Sequence, residues 1–261
     1  MKMTIELKIF LFYLFLIVVA ETVTSFINAS IGLLVHSMLL VSLLTLSALW
    51  YENKNISNLF LCLSIAPLIR IFSLALPLQF LPAYTWYLVA GIPMAIAAVT
   101  VIKIQGLSLS KVGITFKKPA VQLAVMLTGV PFGMIEYSIL KPASIVVGLS
   151  AVSVFLVAIG LVVATGFVEE LVFRGLFLTD AVKVFGDKIG LITITAVFAA
   201  LHIGWLSILD VIFVFVIGLF FGFLTLKTGS IAGVSVSHGL NNVMLFIVMP
   251  SINLISLLTP R

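Results

Sequence analysis

The stretch Ser207-Ile-Leu-Asp-Val-Ile-Phe-Val-Phe-Val-Ile-Gly-Leu-Phe-Phe-Gly-Phe-Leu-Thr-Leu226 carries a single charge, that of Asp210. A helix of this length rises about 30 Å, which matches the hydrocarbon core of a membrane. The stretch therefore predicts a membrane-spanning helix. Gly218 and Gly222 lie four residues apart on one face, and this spacing predicts close packing on a neighbouring helix.

The rest of the chain has the same apolar character. Of its 261 residues 62% are hydrophobic and 9% are charged, and the mean hydropathy is +1.35. Soluble domains have about 25% charged residues, so a soluble globular protein, a disordered chain and a disulfide scaffold are all excluded. The single cysteine, Cys62, allows no internal disulfide. The composition predicts an all-α fold, a polytopic transmembrane helical bundle of about eight or nine spans.

Long uncharged runs locate the predicted spans along the chain. The hairpins near residues 29 and 205 are short enough that each is open to a second interpretation as a re-entrant turn. The predicted spans cover residues 9–28, 31–50, 57–77, 83–102, 119–139, 143–178, 189–204, 207–226 and 231–257.

Lysines are concentrated in alternate loops, whereas Lys141 stands almost alone in the others. Short cytoplasmic loops are enriched in Lys and Arg, so this pattern predicts a multi-pass protein of the cell membrane with a cytoplasmic N-terminus. The same pattern explains the net charge of +5 without a nucleic-acid partner; the expected partner is the lipid bilayer. The lysines on the predicted cytoplasmic side include Lys2, Lys8, Lys103, Lys111, Lys117, Lys118, Lys183, Lys188 and Lys227.

The lysine-rich loop at residues 103–118 is the best candidate for an internal boundary. Residues 1–118 then form N-terminal transmembrane helices to which no role can be assigned. Residues 119–261 form a second region that holds nearly all the unusual polar side chains.

A charged side chain near the centre of a span costs roughly 2.5–3.5 kcal/mol, so such residues are functional candidates. Five of them have simpler structural interpretations. Glu21, Glu136 and Asp210 lie close enough to a span end to reach the lipid headgroups. His36 can be neutral and bonded to a neighbouring carbonyl. Arg70 either extends to the interface or pairs with a carboxylate of another span.

The polar residues Glu169, Glu170 and Arg174 lie in one apolar helix. Glu170 and Arg174 are four residues apart, so they share a face and can form an ion pair. Glu169 is rotated about 100° from Glu170 and points elsewhere. One carboxylate is then left over in apolar surroundings, as a general acid or base requires. The alternative is that both glutamates share Arg174.

Two further spans add polar residues at a similar depth, about 15–20 Å from the cytoplasmic end at 1.5 Å per residue. Phe198 precedes His202 by four residues in one of them. His238 and Asn242 share a face in the other, and Asn241 lies slightly further round. Three helices with polar groups at one depth predict a common buried site. Hydrogen bonding between helices is the structural alternative for the last pair.

Together these residues resemble the signature motifs of the CAAX protease and bacteriocin-processing family, also called CPBP or Abi, which includes the Rce1-type CAAX prenyl endopeptidases. The resemblance covers about residues 119–257. Any one motif is weakly specific, but three in order, each in an apolar span, are highly specific. The motifs are Glu169-Glu170-x-x-x-Arg174, Phe198-x-x-x-His202 and His238-x-x-x-Asn242.

The resemblance implies an intramembrane endopeptidase whose helices surround a cytosol-facing cavity, with residues 119–261 as the catalytic core. It implies that Glu169, assisted by His202, activates water. His238 and Asn242 would stabilise the oxyanion. In the same analogy Glu170, Arg174 and Phe198 support the site. The expected substrate is a membrane-associated peptide or protein, with or without a lipid, and the sequence does not fix the oligomeric state.

Metal dependence is open at this point, because the family has also been called a metalloprotease family. Glu169, His202 and His238 would be the zinc ligands. The chain has no His-Glu-x-x-His motif, and a water, a glutamate and an oxyanion donor suffice, so a metal-free mechanism is favoured. Two other hypotheses are a non-catalytic immunity or scaffold protein that retains the site, and a transporter with a proton relay.

Overall fold

A computed structural model describes residues 3–252, and every regular element in that range is a helix. The predicted all-α fold is confirmed. The α-helices are α1 (Ile5–Phe26), α2 (Ala29–Leu49), α3 (Lys54–Leu63), α4 (Ile65–Ala75), α5 (Ala83–Gln105), α6 (Pro119–Leu127), α7 (Gly129–Leu140), α8 (Ala151–Leu161), α9 (Val168–Glu170), α10 (Leu178–Ala200), α11 (Ile208–Thr228) and α12 (Ala232–Val243). Short 3₁₀ turns lie at Leu78–Phe80 and Ile203–Trp205, and π-helical segments at Val162–Phe167, Leu171–Phe177 and Met244–Val248.

Within residues 3–252, eight helices are long and apolar enough to cross a membrane. One of them, Ala151–Trp205, has 55 residues. At 1.5 Å per residue it would be about 80 Å long, more than twice the thickness of the hydrocarbon core. It reverses at Gly186, whose φ of 78° and ψ of 169° break the helix, and Gly190 then packs back against Ala181 and Val182. It therefore makes two crossings, and the described helices make nine.

The observed helices follow the predicted spans to within a few residues, apart from one helix start. The predicted span 143–178 began too early, because the helix starts at Ala151 after a non-helical segment. The predicted span 231–257 ends outside the described residues, as does Lys2. The two short hairpins are not re-entrant turns, because full-length helices lie on both sides of each.

The loops define two ends of the bundle, which we call the lysine-rich end and the lysine-poor end. The loop at residues 141–150, with Lys141, lies at the lysine-poor end. The described lysines at the lysine-rich end are Lys8, Lys54, Lys103, Lys111, Lys117, Lys118, Lys183, Lys188 and Lys227.

A continuous hydrophobic core joins the helices before residue 118 to those after it. Phe10 of α1, for example, packs edge-to-face on Phe185 of α10 with ring centroids 5.5 Å apart. The predicted close packing of α11 is confirmed, because Gly218 approaches Thr195 and Gly222 approaches Leu191, both on α10. The two regions named from the sequence thus share one packed interior.

Three acidic residues that were expected to reach the headgroups are buried instead. Glu21 and Asp210 are fully buried and Glu136 is almost so, so that prediction was wrong. Arg70 does pair with a carboxylate of another span: its Nη2 lies 2.6 Å and its Nε 2.9 Å from the two oxygens of Glu21. His36 Nε2 lies 3.5 Å from the same carboxylate. The carboxylate of Glu21 thus lies between two basic side chains inside the protein.

Candidate active site

The two adjacent glutamates lie on a helix whose turns are wider than those of an α-helix. π-helical segments at Val162–Phe167 and Leu171–Phe177 flank the short α-helical turn Val168–Glu170. Such turns hold an extra residue and occur frequently at functional sites. They alter which face each later residue occupies, and so help to set the direction in which the glutamates point.

Glu170 faces the protein interior and is fully buried. Its Oε1 lies 2.9 Å from Arg174 Nη1 and 2.9 Å from His238 Nδ1. The predicted ion pair between residues 170 and 174 is thus confirmed. The guanidinium of Arg174 also lies 4.5 Å over the ring of Phe198, a favourable cation–π distance. Glu170 therefore has two basic partners and little freedom to move.

Glu169 faces the other way, as its offset from Glu170 predicted. Its side chain is 25% exposed, and its nearest ionisable partner is His238, whose Nε2 lies 3.9 Å from Oε2. The alternative that both glutamates share Arg174 is not observed, because among the described residues Arg174 forms an ion pair with Glu170 alone. Glu169 is thus the less tightly held of the two carboxylates.

His238 reaches both glutamates because its helix lies unusually close to theirs. A Cβ added to Gly166 would stand 2.4 Å from the carbonyl oxygen of Ser235, and one added to Gly239 would stand 2.6 Å from Cα of Val162. Only glycine allows the two backbones to come this close. At this crossing the Nδ1–H of His238 donates to Glu170, which leaves Nε2 directed towards Glu169.

The two asparagines of α12 have different partners. The side-chain amide of Asn242 donates to the hydroxyl of Thr165 at 2.8 Å, and its second N–H remains available. The amide of Asn241 donates to Glu136. Glu136 was expected to lie at the membrane interface. Its side chain instead lines the same cavity as Asn242.

His202 lies opposite these groups, in the turn just after α10. Its Nδ1–H donates to the carbonyl of Phe198 at 2.9 Å, and its ring packs 4.8 Å from the ring of Phe198. The neutral ring then has a proton-accepting Nε2. Within residues 3–252 no hydrogen bond or ion pair joins His202 to Glu169, so any cooperation between them requires a bridging water or substrate.

A cavity of about 230 Å³ brings these side chains together. Glu169, His202, His238 and Asn242, the four residues predicted to be catalytic, all line it. Phe198 also lines it, whereas Glu170 lies behind the wall. The remaining lining is largely apolar, as is usual for cavities that bind ligands.

Several lining residues were not identified from the sequence. Glu136 and Arg70 had been given structural roles, and Thr165 and Tyr87 had no role. The spacing of Thr165 four residues before Glu169 is the one local signal that was available. The others come from helices distant in sequence, and one chain alone does not reveal which faces meet.

The zinc hypothesis can be tested on the arrangement of donors. In the part of the chain from residue 3 to residue 252, no three His, Cys, Asp or Glu side chains are arranged to hold a metal ion. That statement includes Glu169, His202 and His238. These residues do not fit a zinc ion as they are arranged, and metal independence of the reaction stays a prediction.

Comparison with protein families gives one match. Residues 151–244 match the family described as Type II CAAX prenyl endopeptidase Rce1-like. Comparisons with curated proteins and with solved structures found no match. The matched residues contain all three motifs quoted from the sequence, and they support a protease function of the CAAX type. Over residues 151–244 the chain is therefore similar to the Rce1-like CAAX prenyl endopeptidases.

Proposed function

We propose that the protein is an endopeptidase that hydrolyses a peptide bond of a membrane-associated polypeptide, with Glu169 as the general base. The observation that carries this proposal is the division between the two glutamates. Glu170 is fully buried and bound by Arg174 and His238, whereas Glu169 lines the cavity and has no partner closer than 3.9 Å among the described residues. A general base needs such an available carboxylate.

The attacking water would lie between Glu169 and His202. Both side chains line the cavity, and a neutral His202 presents a proton-accepting Nε2 there because its Nδ1–H is used by Phe198. One water can donate to the carboxylate and to this nitrogen at once. Its oxygen lone pair then points at the carbonyl carbon of the substrate.

Asn242 and His238 would stabilise the oxyanion that forms when water attacks. Asn242 holds one amide N–H on Thr165 and has a second N–H to donate. His238 is oriented by Glu170, so a proton on Nε2 would point into the cavity. Donors fixed before the reaction stabilise developing charge more effectively than solvent does.

The remaining motif residues would position these groups without touching the substrate. Glu170 orients His238, and Arg174 neutralises Glu170 while it packs on Phe198. Phe198 in turn supports His202 through its carbonyl and its ring. Each catalytic side chain thus has a rotamer fixed by a second residue, as accurate catalysis requires.

The protons balance along this path. Glu169 accepts a proton from water as the oxygen–carbon bond forms, and the carbonyl becomes the oxyanion. When the carbon–nitrogen bond breaks, the proton passes from Glu169 to the leaving amine. The products are a new carboxyl terminus and a new amino terminus, and Glu169 is again ionised.

A direct test compares Glu169→Gln with Glu52→Gln, an exposed carboxylate at the lysine-rich end. Both variants are expressed to equal membrane levels, and new chain ends in the cells are quantified by mass spectrometry. We expect specific cleaved ends to disappear with Glu169→Gln, by at least about 100-fold, and to persist with Glu52→Gln. If no end changes, the protein is a non-catalytic scaffold or immunity protein.

Metal removal provides an independent test. Membranes that contain the wild-type protein are treated with a chelator and assayed for the cleavage lost in Glu169→Gln. Because Glu169 and a water suffice for the proposed reaction, the rate should remain unchanged. A loss that zinc restores would replace this mechanism by a zinc-dependent one.

A further inference from the structure

The cavity reaches the surface at the lysine-poor end of the bundle. Ser73 lies close to the end of α4 there, and Tyr87 lies close to the start of α5. Trp205, which follows α10, is 41% exposed and stacks on Phe246. The ring of Phe246 also lies 5.1 Å from that of Tyr87, so a row of three aromatic rings crosses the mouth.

The floor of the cavity lies in the opposite half of the bundle. The lining ends there at Phe173, Phe221 and His238. Beyond these residues, towards the lysine-rich end, Leu176 and Phe177 are fully buried. These buried apolar side chains, and the guanidinium of Arg174 packed on Phe198 and Phe221, thus separate the floor from the lysine-rich surface.

The segment at residues 106–118 covers the lysine-rich end of the catalytic helices. Val112 is fully buried in it, and its carbonyl oxygen lies 2.8 Å from the position that a Cβ on Gly175 would occupy. The N–H of Ile231 donates to the carbonyl of Gly113 at 2.9 Å. The segment is therefore bound to the domain. A separate pocket of about 210 Å³ lies beside it and is lined by Lys111, Lys117 and Arg174, but none of Glu169, His202, His238 and Asn242 borders that pocket.

A buried polar cluster closes the same end on the side of α3. Asp180 is fully buried and accepts hydrogen bonds from Gln105 at 2.8 Å, Lys183 at 2.7 Å and the thiol of Cys62 at 3.2 Å. These four residues join α3 and α5 to the start of α10. Breaking these contacts to admit a polypeptide would take the partners away from a buried carboxylate, which is costly.

This geometry makes two expectations from the sequence incompatible. The lysines place the lysine-rich end in the cytoplasm, whereas the family resemblance implies a cavity that faces the cytosol. Nine described lysines stand at one end and one at the other. Each contributes about 1 kcal/mol of attraction to an anionic cytoplasmic leaflet, so the lysine pattern is the stronger determinant.

We infer that the cavity opens on the non-cytoplasmic side, and that the substrate is an exported or outer-leaflet polypeptide segment. The inference rests on the proposed function for its substrate and on the lysine pattern for its orientation. A prenylated C-terminus in the cytoplasm would meet the end that the cavity with Glu169 does not reach. The aromatic mouth formed by Tyr87, Phe246 and Trp205 fits apolar side chains of an extended segment.

The test uses single-cysteine labelling, which does not depend on cleavage. The native Cys62 is fully buried and stays in place, with the unsubstituted chain as the labelling blank. Ser73→Cys reports on the mouth, Ser110→Cys on the lysine-rich end and Ala143→Cys on the lysine-poor loop. Right-side-out and inverted membrane vesicles are treated with a charged maleimide that does not cross membranes, and labelling is quantified by mass shift.

We expect Ser73→Cys and Ala143→Cys to be labelled in right-side-out vesicles, at least tenfold more than Ser110→Cys, with the reverse in inverted vesicles. The inference is overturned if Ser73→Cys is labelled from the cytoplasmic side, or from neither side. The same labelling in a Glu169→Gln background separates this result from the chemistry. Cleavage without outward labelling overturns the orientation alone, and outward labelling without cleavage overturns the proposed function alone.

Discussion

Two buried arginine–glutamate pairs hold this molecule together, and they differ in how the chain makes them. Arg174 and Glu170 are four residues apart in the segment that matches the Rce1-like family. Arg70 and Glu21 are 49 residues apart, on α4 and α1 of the N-terminal region. The first pair follows from helical geometry alone. The second exists only because two separate helices pack side by side.

The two pairs also fix different histidines. In the local pair, Glu170 also accepts a hydrogen bond from His238. In the distant pair Arg70 Nη2 donates to the carbonyl of Leu201 at 2.9 Å, and Leu201 directly precedes His202. The N-terminal helices therefore have a physical connection to the turn that carries His202.

The largest effect is expected from Arg174→Ala. It leaves Glu170 fully buried with His238 as its remaining basic partner, and removing one member of a buried pair costs about 3–5 kcal/mol. The free energy of unfolding in lipid–detergent mixtures should fall by that amount, and cleavage should be lost. A variant as stable as the wild type would show that the local pair does not stabilise the domain.

Within the domain, Asn242→Ala and Asn241→Ala should separate catalysis from structure. Loss of an oxyanion donor lowers turnover by about 100- to 1000-fold, so Asn242→Ala should do this with stability almost unchanged. Asn241→Ala removes the donor to Glu136 and should mainly lower stability. Turnover is measured on a peptide identified by its cleaved ends. Equal turnover losses in the two variants would contradict the assignment of Asn242.

The distant pair is tested by Arg70→Gln, alone and with Glu21→Gln. The single change leaves the buried carboxylate of Glu21 with His36 as its nearest basic side chain. Because Arg70 is 19% exposed, the loss of stability should be smaller than for Arg174→Ala, about 1–3 kcal/mol. Turnover should fall about tenfold. The double variant removes the stranded charge and should recover stability but not turnover, because the donor to Leu201 is still missing. Recovery of both would show that Arg70 acts only as a counter-ion.

Lys183→Ala should have the smallest effect. Lys183 pairs with buried Asp180 at the lysine-rich end, but its own side chain is 37% exposed. Pairs open to water contribute about 0–1 kcal/mol, and Gln105 remains bonded to Asp180. The free energy of unfolding should change by less than 1 kcal/mol, and cleavage should stay at the wild-type rate. A loss comparable to that of Arg174→Ala would mean that Asp180 depends on this lysine.

The same contrast explains how much could be predicted from the sequence. The helical class, the spans and the Glu170–Arg174 pair all follow from composition or from spacing within one helix. The partners of Arg70 and of Asn241 do not, because each bond joins helices far apart in the chain. The proximity of His238 to Glu169 depends on the close crossing at Gly166 and Gly239, whose small size is visible in the sequence but whose pairing is not.

The π-helical turns beside the glutamates have a consequence for how this domain can change. Removing one residue from Val162–Phe167 would restore an ordinary helix there and rotate everything after it by about 100°. Glu169 would then leave the cavity, although every side chain of the proposed catalytic set would still be present. A single-codon deletion in this segment should therefore reduce activity more than most substitutions in it. A sequence comparison would show all the motif residues unchanged and would not reveal that Glu169 had rotated out of the cavity.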